Sequence, residues 1–304
     1  MAHPAKTRLM PEGPMRRDSS GAEGAGRRGM SDLQGGRARR VSLWRTVLGC
    51  AVLAYGCGGQ TKGITVLPYV GTVGFTQSAG QYDLGASFFT NRVASPVADA
   101  GTSGTCAAGG TCCYYPPSLP IDGGAPVTAL NAGAIVAKDG SSPLATLIPG
   151  DAGVAYATAN SGAWQPGDTL SATATGGDVG PFSGSVVAPA AIAGLSPSLS
   201  GTVDVSISAD WNVSWIPATQ GGSQLVLTLS ASSAGPEPGG VLECGIADSA
   251  GAMSVPAAIL GLLGTGSNAS VSITRRNIAT VATNNARVDI VCDAVTTGNA
   301  NLQP

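Results

Sequence analysis

Six carboxylates in the second half of the chain are the side chains best suited by type to chemistry: Asp168, Asp178, Asp204, Asp210, Glu237 and Glu243. Hydrolysis of a glycosidic bond needs only two such groups, held about 5–10 Å apart. Yet Asp139, Asp151, Asp168 and Asp178 each adjoin a glycine, which is the setting of turn-forming aspartates. The pattern therefore favours a structural role, and no catalytic, cofactor-binding or metal-binding residue is assigned. Trp211 and Trp215 could stack on sugar rings. They alternate with Asn212 and Ser214 and share a face with Val213, so a core role is favoured. No segment carries the Asp-x-Asp-x-Asp-Gly spacing of a calcium loop.

The single histidine, His3, lies far upstream of the strand-forming region. A domain without histidine cannot run Ser-His-Asp or Cys-His chemistry and cannot build a His-ligated zinc site. Thiols are more plentiful. Beyond Cys50 and Cys57 the chain holds Cys106, Cys112, Cys113, Cys244 and Cys292. Cys244 and Cys292 each fall in a β-type run, so a bridge between them is expected. It would close a loop of about 48 residues, worth roughly 3–4 kcal/mol by chain entropy. Cys106 is expected to pair with Cys112 or Cys113, leaving one thiol over. A metal held by the Cys106, Cys112 and Cys113 thiols is the weaker reading in an oxidising compartment.

The element that organises the rest is residues 37–57, RARRVSLWRTVLGCAVLAYGC. Four arginines (Arg37, Arg39, Arg40, Arg45) precede an uncharged apolar run, 46–55, that closes on Gly56-Cys57. That order is the layout of an export signal, and the run falls short of the ~20 residues that span a bilayer. Leu53-Ala54-Tyr55-Gly56-Cys57 resembles a bacterial lipobox, which implies lipidation of Cys57. Ala54 and Tyr55 depart from that pattern. Val47-Leu48-Gly49-Cys50 fits it locally, but leaves almost no apolar core after Arg45. Arg39-Arg40-Val41-Ser42-Leu43 is only faintly similar to a twin-arginine signal, because Ser42 stands where a large apolar residue belongs.

Residues 1–29 are rich in Gly, Arg and Pro without apolar periodicity, and 1–36 is expected to be disordered. Met30 would start a signal of conventional length, so the upstream stretch is read as a misassigned start. The competing reading, a nucleic-acid-binding arm with Arg16, Arg17, Arg27 and Arg28, would be left behind on export. Charge points the same way. Ten of the 16 Lys+Arg but only four of the 18 Asp+Glu precede Cys57, so the exported part carries six basic and 14 acidic groups. A net charge of −8 argues against nucleic acid as a partner.

After a short tether, 57–63, short runs of alternating character punctuated by Gly and Pro predict an all-β domain over 64–304, a β-sandwich of Ig-like or composite form. The runs are 64–70, 86–89, 127–137, 144–148, 154–158, 169–175, 182–188, 203–207, 211–216, 225–229, 241–246, 271–275 and 288–292. Residues 97–120 read as an irregular, cysteine-bearing loop. One short helix is expected over 254–263, with Ser254 as its N-cap and Pro256 in its first turn. Arg275 and Arg276, being adjacent, should face opposite sides of a strand on a solvated edge.

Taken together, residues 53–57, Cys112-Cys113-Tyr114-Tyr115 and 211–215 in an Ala/Gly/Ser/Thr-rich chain resemble surface lipoproteins of myxobacteria. The resemblance implies a place in the cell envelope, lipid-anchored at the outer membrane, and no particular activity. The resulting expectation is a non-catalytic binding or structural domain, facing envelope polysaccharide or a surface protein. The alternatives are a secreted form without lipid and a carboxylate-dependent hydrolase of envelope polysaccharide.

Overall fold

A computed structural model of the 304-residue chain describes residues 69–90, 104–117, 128–150, 156, 159–231 and 239–304. Every described residue lies within Cys57–Pro304. The export signal, Cys57 and the tether 57–63 lie outside the described residues, as do Asp151 and Glu237.

The described strands are, in chain order, β1 (Tyr69–Ser78), β2 (Gln81–Thr90), β3 (Thr105–Cys106), β4 (Cys112–Tyr115), β5 (Ile135–Asp139), β6 (Ser142–Leu147), β7 (Ala159–Asn160), β8 (Thr169–Ala174) and β9 (Phe182–Val187). There follow β10 (Ala193–Ser196), β11 (Thr202–Ser206), β12 (Trp211–Ile216), β13 (Gln224–Ala231), β14 (Gly240–Ala247) and β15 (Ala252–Val255). A short helix α1 (Ala257–Leu260) leads through a 3-10 turn, Gly261–Leu263, into the long strands β16 (Gly266–Ala282) and β17 (Ala286–Gln303). The all-β class read from the sequence is what forms.

The β16–β17 hairpin is the spine. Ten strands gather into one sheet in the order β3-β4-β14-β13-β16-β17-β1-β2-β7, with β11 also paired to β17. β1 runs parallel to the first half of β17 and β11 parallel to its last residues. Two smaller sheets, β6-β5-β8-β9 and β10-β12-β15, complete the fold.

Side-chain alternation shows where they pack. On β17 the even residues Val288, Ile290 and Cys292 enter one buried cluster, and Ala300 and Leu302 enter another. Their register partners place odd residues of β16 on the same side, with Val271 and Ile273 in the second cluster and Ala279 and Val281 packed against the first. Each smaller sheet supplies the opposing wall of one cluster: Ile135, Leu170 and Phe182 of the four-stranded sheet in the first, and Trp211, Val213 and Val255 of the three-stranded sheet in the second. The result is two sandwiches strung along one pair of strands, a composite β-sandwich.

Local chemistry explains the turns. β1 and β2 are joined by Ala79-Gly80, both at positive φ (48° and 77°), the two-residue geometry whose twist matches that of the flanking strands. The sequence reading covered only the ends of this hairpin. β1 (YVGTVGFTQS) carries Gly71 and Gly74 in place of bulk, and a Cβ at Gly71 would lie 2.1 Å from the Phe88 ring. That close approach is why a glycine interrupts the apolar pattern there.

Three expectations are corrected here. The helix begins at Ala257 with Pro256 at its N-cap, while Ser254 lies in β15; the N–H of Ala257 donates to Asp210 Oδ1 instead (2.8 Å). The described part of 97–120 is not irregular throughout, because it contains the antiparallel pair β3–β4. Cys244 is bridged to Cys112 and not to Cys292. β14 pairs directly with β4, with Cys244 opposite Cys112, whereas β13 and β16 separate it from β17. Cys292 also lies in the other buried cluster.

Candidate functional site

The carboxylates proposed from sequence are dispersed, and most hold backbone. Asp178 accepts the N–H of Asn131 (3.0 Å), Asp168 that of Gln165 (2.5 Å) and Asp210 that of Ala257. Asp204, on β11, accepts the side-chain amides of Asn301 and Gln303 from β17 (2.9 and 2.8 Å). Glu243 lies on β14, opposite Cys113 of β4. These are structural interactions: Asp168 closes its own turn, while Asp178, Asp204 and Asp210 tie together segments distant in the chain.

One pair of carboxylates does meet. Asp139 ends β5, and Asp168 immediately precedes β8, the strand that pairs with β5. The Asp139 carboxyl is pushed above its usual range, first by loss of solvent and then by the Asp168 carboxylate beside it. Among the described residues no group of three or more His, Cys, Asp or Glu could hold a metal ion.

Trp211 and Trp215 are buried, 8% and 4% exposed, and point into the core from β12. The indole N–H of Trp215 donates to the carbonyl of Asp248 (2.9 Å). Neither ring can serve as a platform for sugar, so the core reading of these tryptophans holds.

The site that the sequence reading missed lies where the two sandwiches meet. Arg275 is 1% exposed and forms an ion pair with Asp248 (2.9 Å), itself 3% exposed. Its remaining N–H groups donate to the carbonyls of Ala190, Ala191 and Ile216. Ala190 and Ala191 belong to the link between β9 and β10, so one guanidinium binds the spine, the interlobe link and β12 together. Asp248 completes its shell by accepting the N–H of Ala218 (2.7 Å). On the opposite face of the same strand, Arg276 makes a two-toothed pair with Asp293 of β17 (both contacts 2.8 Å). The two arginines do face opposite ways, but the expected solvated edge is wrong: β16 is an interior strand and both are buried. The available signal was the opposite parity of Asp293 and Val288 within an alternating strand.

The thiols divide by environment. Cys106 joins Cys113, and Cys112 joins Cys244. Cys292 is the free cysteine among the described residues. Burial, and then the Asp293 carboxylate, push its thiol far up, so it stays protonated and inert.

No protein-family model and no curated protein matches the chain. Among solved structures, the I-band fragment I67–I69 of titin aligns over 78% of this chain and 97% of its own length, at 9% identity and a TM-score of 0.14. A Glu-to-Ala variant of the same three-Ig fragment aligns with equal coverage and identity at 0.12. At such scores the alignment carries no argument. The fold assignment rests on the sheets and their packing.

Proposed function

We propose that the chain from Cys57 onward is an exported, lipid-anchored protein of the cell envelope, held at the outer membrane. Its composite β-sandwich has a non-catalytic binding or structural role toward envelope polysaccharide or a surface protein. The observation that carries the reading is the pairing of four cysteines into two disulfides, because such bridges persist in oxidising compartments. It agrees with the export and lipidation signal of residues 37–57. The aspartates, spent on turns and backbone N–H groups, support the non-catalytic part.

Intact mass of the protein from membranes of its native host tests this. The expected species begins at Cys57, carries a diacylglyceryl group and lacks four hydrogens to two disulfides. Cys57→Ala should move the protein out of the membrane fraction. A product retaining Met1, or one cut elsewhere without lipid, overturns the anchoring. The competing hydrolase reading rests on Asp139 beside Asp168. Release of sugars from envelope polysaccharide, abolished in Asp139→Asn, would establish it in place of the binding role.

A further inference from the structure

The two disulfides share one strand and face opposite ways. Neighbours Cys112 and Cys113 project to opposite sides of β4. Cys112–Cys244 therefore lies in the core, its cysteines 1% and 2% exposed, while Cys113 meets the exposed Cys106 on the outer side. β3, which carries Cys106, is the terminal strand of the large sheet and only two residues long. It pairs with β4 at Thr105↔Tyr114 and Cys106↔Cys113, and the Ala107 N–H donates to Cys112 just beyond (2.8 Å). So few backbone contacts at a sheet edge hold a strand weakly.

We propose that Cys106–Cys113 is a thiol-exchange site: a clasp that an external dithiol opens while Cys112–Cys244 stays closed, freeing β3 from the edge of β4. One thiolate of the dithiol attacks Sγ of Cys106; the S–S bond breaks, and Cys113 leaves as a thiolate that takes a proton from water. The second thiol, deprotonated, then displaces Cys106 from the mixed disulfide. The reductant ends as a disulfide and the protein gains two thiols, so two electrons and two protons are transferred. The core bridge is protected because attack requires a straight approach to sulfur, and both its cysteines belong to a buried cluster, with Leu227 opposite Cys244 and the Tyr114–Leu242 pair two residues along. Opening the clasp uncovers unpaired N–H and C=O groups along β4, the kind of edge to which another strand adds. The chemistry is independent of whether Cys57 carries lipid.

The test uses the oxidised full chain, exposed to graded dithiothreitol, quenched with N-ethylmaleimide and read by peptide mass. Cys106 and Cys113 should label at least about tenfold faster than Cys112 and Cys244. At that stage amide exchange should rise over residues 105–115 and stay unchanged in β13 and β16. Labelling of all four cysteines in step overturns the proposal. So does reduction of Cys106–Cys113 with no change in exchange at β3. The double variant Cys106→Ser, Cys113→Ser should reproduce the raised exchange without reductant and keep Cys112–Cys244. Full protection of β3 in that variant would show that the disulfide is not what holds the strand.

Discussion

The two sandwiches share β16 and β17 yet are held by different means. In the half built on β1, β2, β5, β8 and β9, rings pack on rings: Phe75 and Tyr82 meet Trp164 edge-on, and Phe88 touches Tyr156 and Phe182. Its cysteine, Cys292, stays a thiol. The other half contains the β3–β4 pair, which the chain flanks with β2 and β5 of the first half. β4 pairs with β14 over four residues, and Cys112–Cys244 locks that pairing across a sequence separation of 132. The contrast teaches where a crosslink is useful. A strand borrowed from a distant part of the chain gains few hydrogen bonds against a large closure entropy, and a covalent tie removes that entropy from the unfolded state.

The comparison is broken most forcibly by removing that tie. Replacing Cys112 and Cys244 by serine should destabilise the domain by about 4–5 kcal/mol on the chain-entropy account. Hydrogen exchange should show the loss concentrated in β13, β14 and β12, with β5 and β8 retaining more protection. Equal loss in both halves would mean that they unfold as one unit.

The junction comes next. Arg275→Met leaves Asp248 buried without its cation, which should cost about 3–5 kcal/mol in denaturant unfolding. Adding Asp248→Asn should recover part of this, because the uncompensated charge is then gone. If the single change instead uncouples the two halves into separate transitions, Arg275 is what makes them cooperative.

The smallest effect is expected at Asp139. Its carboxyl is raised in the fold, so the folded protein holds this proton more tightly than the unfolded chain. Stability from the site is therefore present at low pH and lost as pH rises through the raised value. Asp139→Asn should raise the Tm slightly at neutral pH and leave it unchanged in acid. A penalty at neutral pH would mean that the Asp139 carboxylate has a partner that offsets Asp168.

Much of the strand pattern was legible because alternation reports a half-buried sheet directly. The runs around Trp211, Leu225, Val241 and Val288 fall inside observed strands, and Trp211 and Trp215 face inward as their spacing with Val213 requires. The β1–β2 hairpin was less legible. Gly71 stands where the Phe88 ring approaches the backbone, and that neighbour is not written in the local sequence. Ser254 was misread as a cap because an N-terminal N–H can be satisfied from elsewhere, here by Asp210, 47 residues away.

The all-β class, the absence of histidine chemistry beyond His3 and the opposed faces of Arg275 and Arg276 can be read from the residues alone. Each of these follows from composition or from the two-residue period of a strand. That both arginines are buried, that Cys244 takes Cys112 while Cys292 has no disulfide partner among the described residues, and that two sandwiches share one hairpin emerge only in the folded chain. Those outcomes depend on which strands become neighbours, and strand order is set by long-range packing that no local pattern encodes.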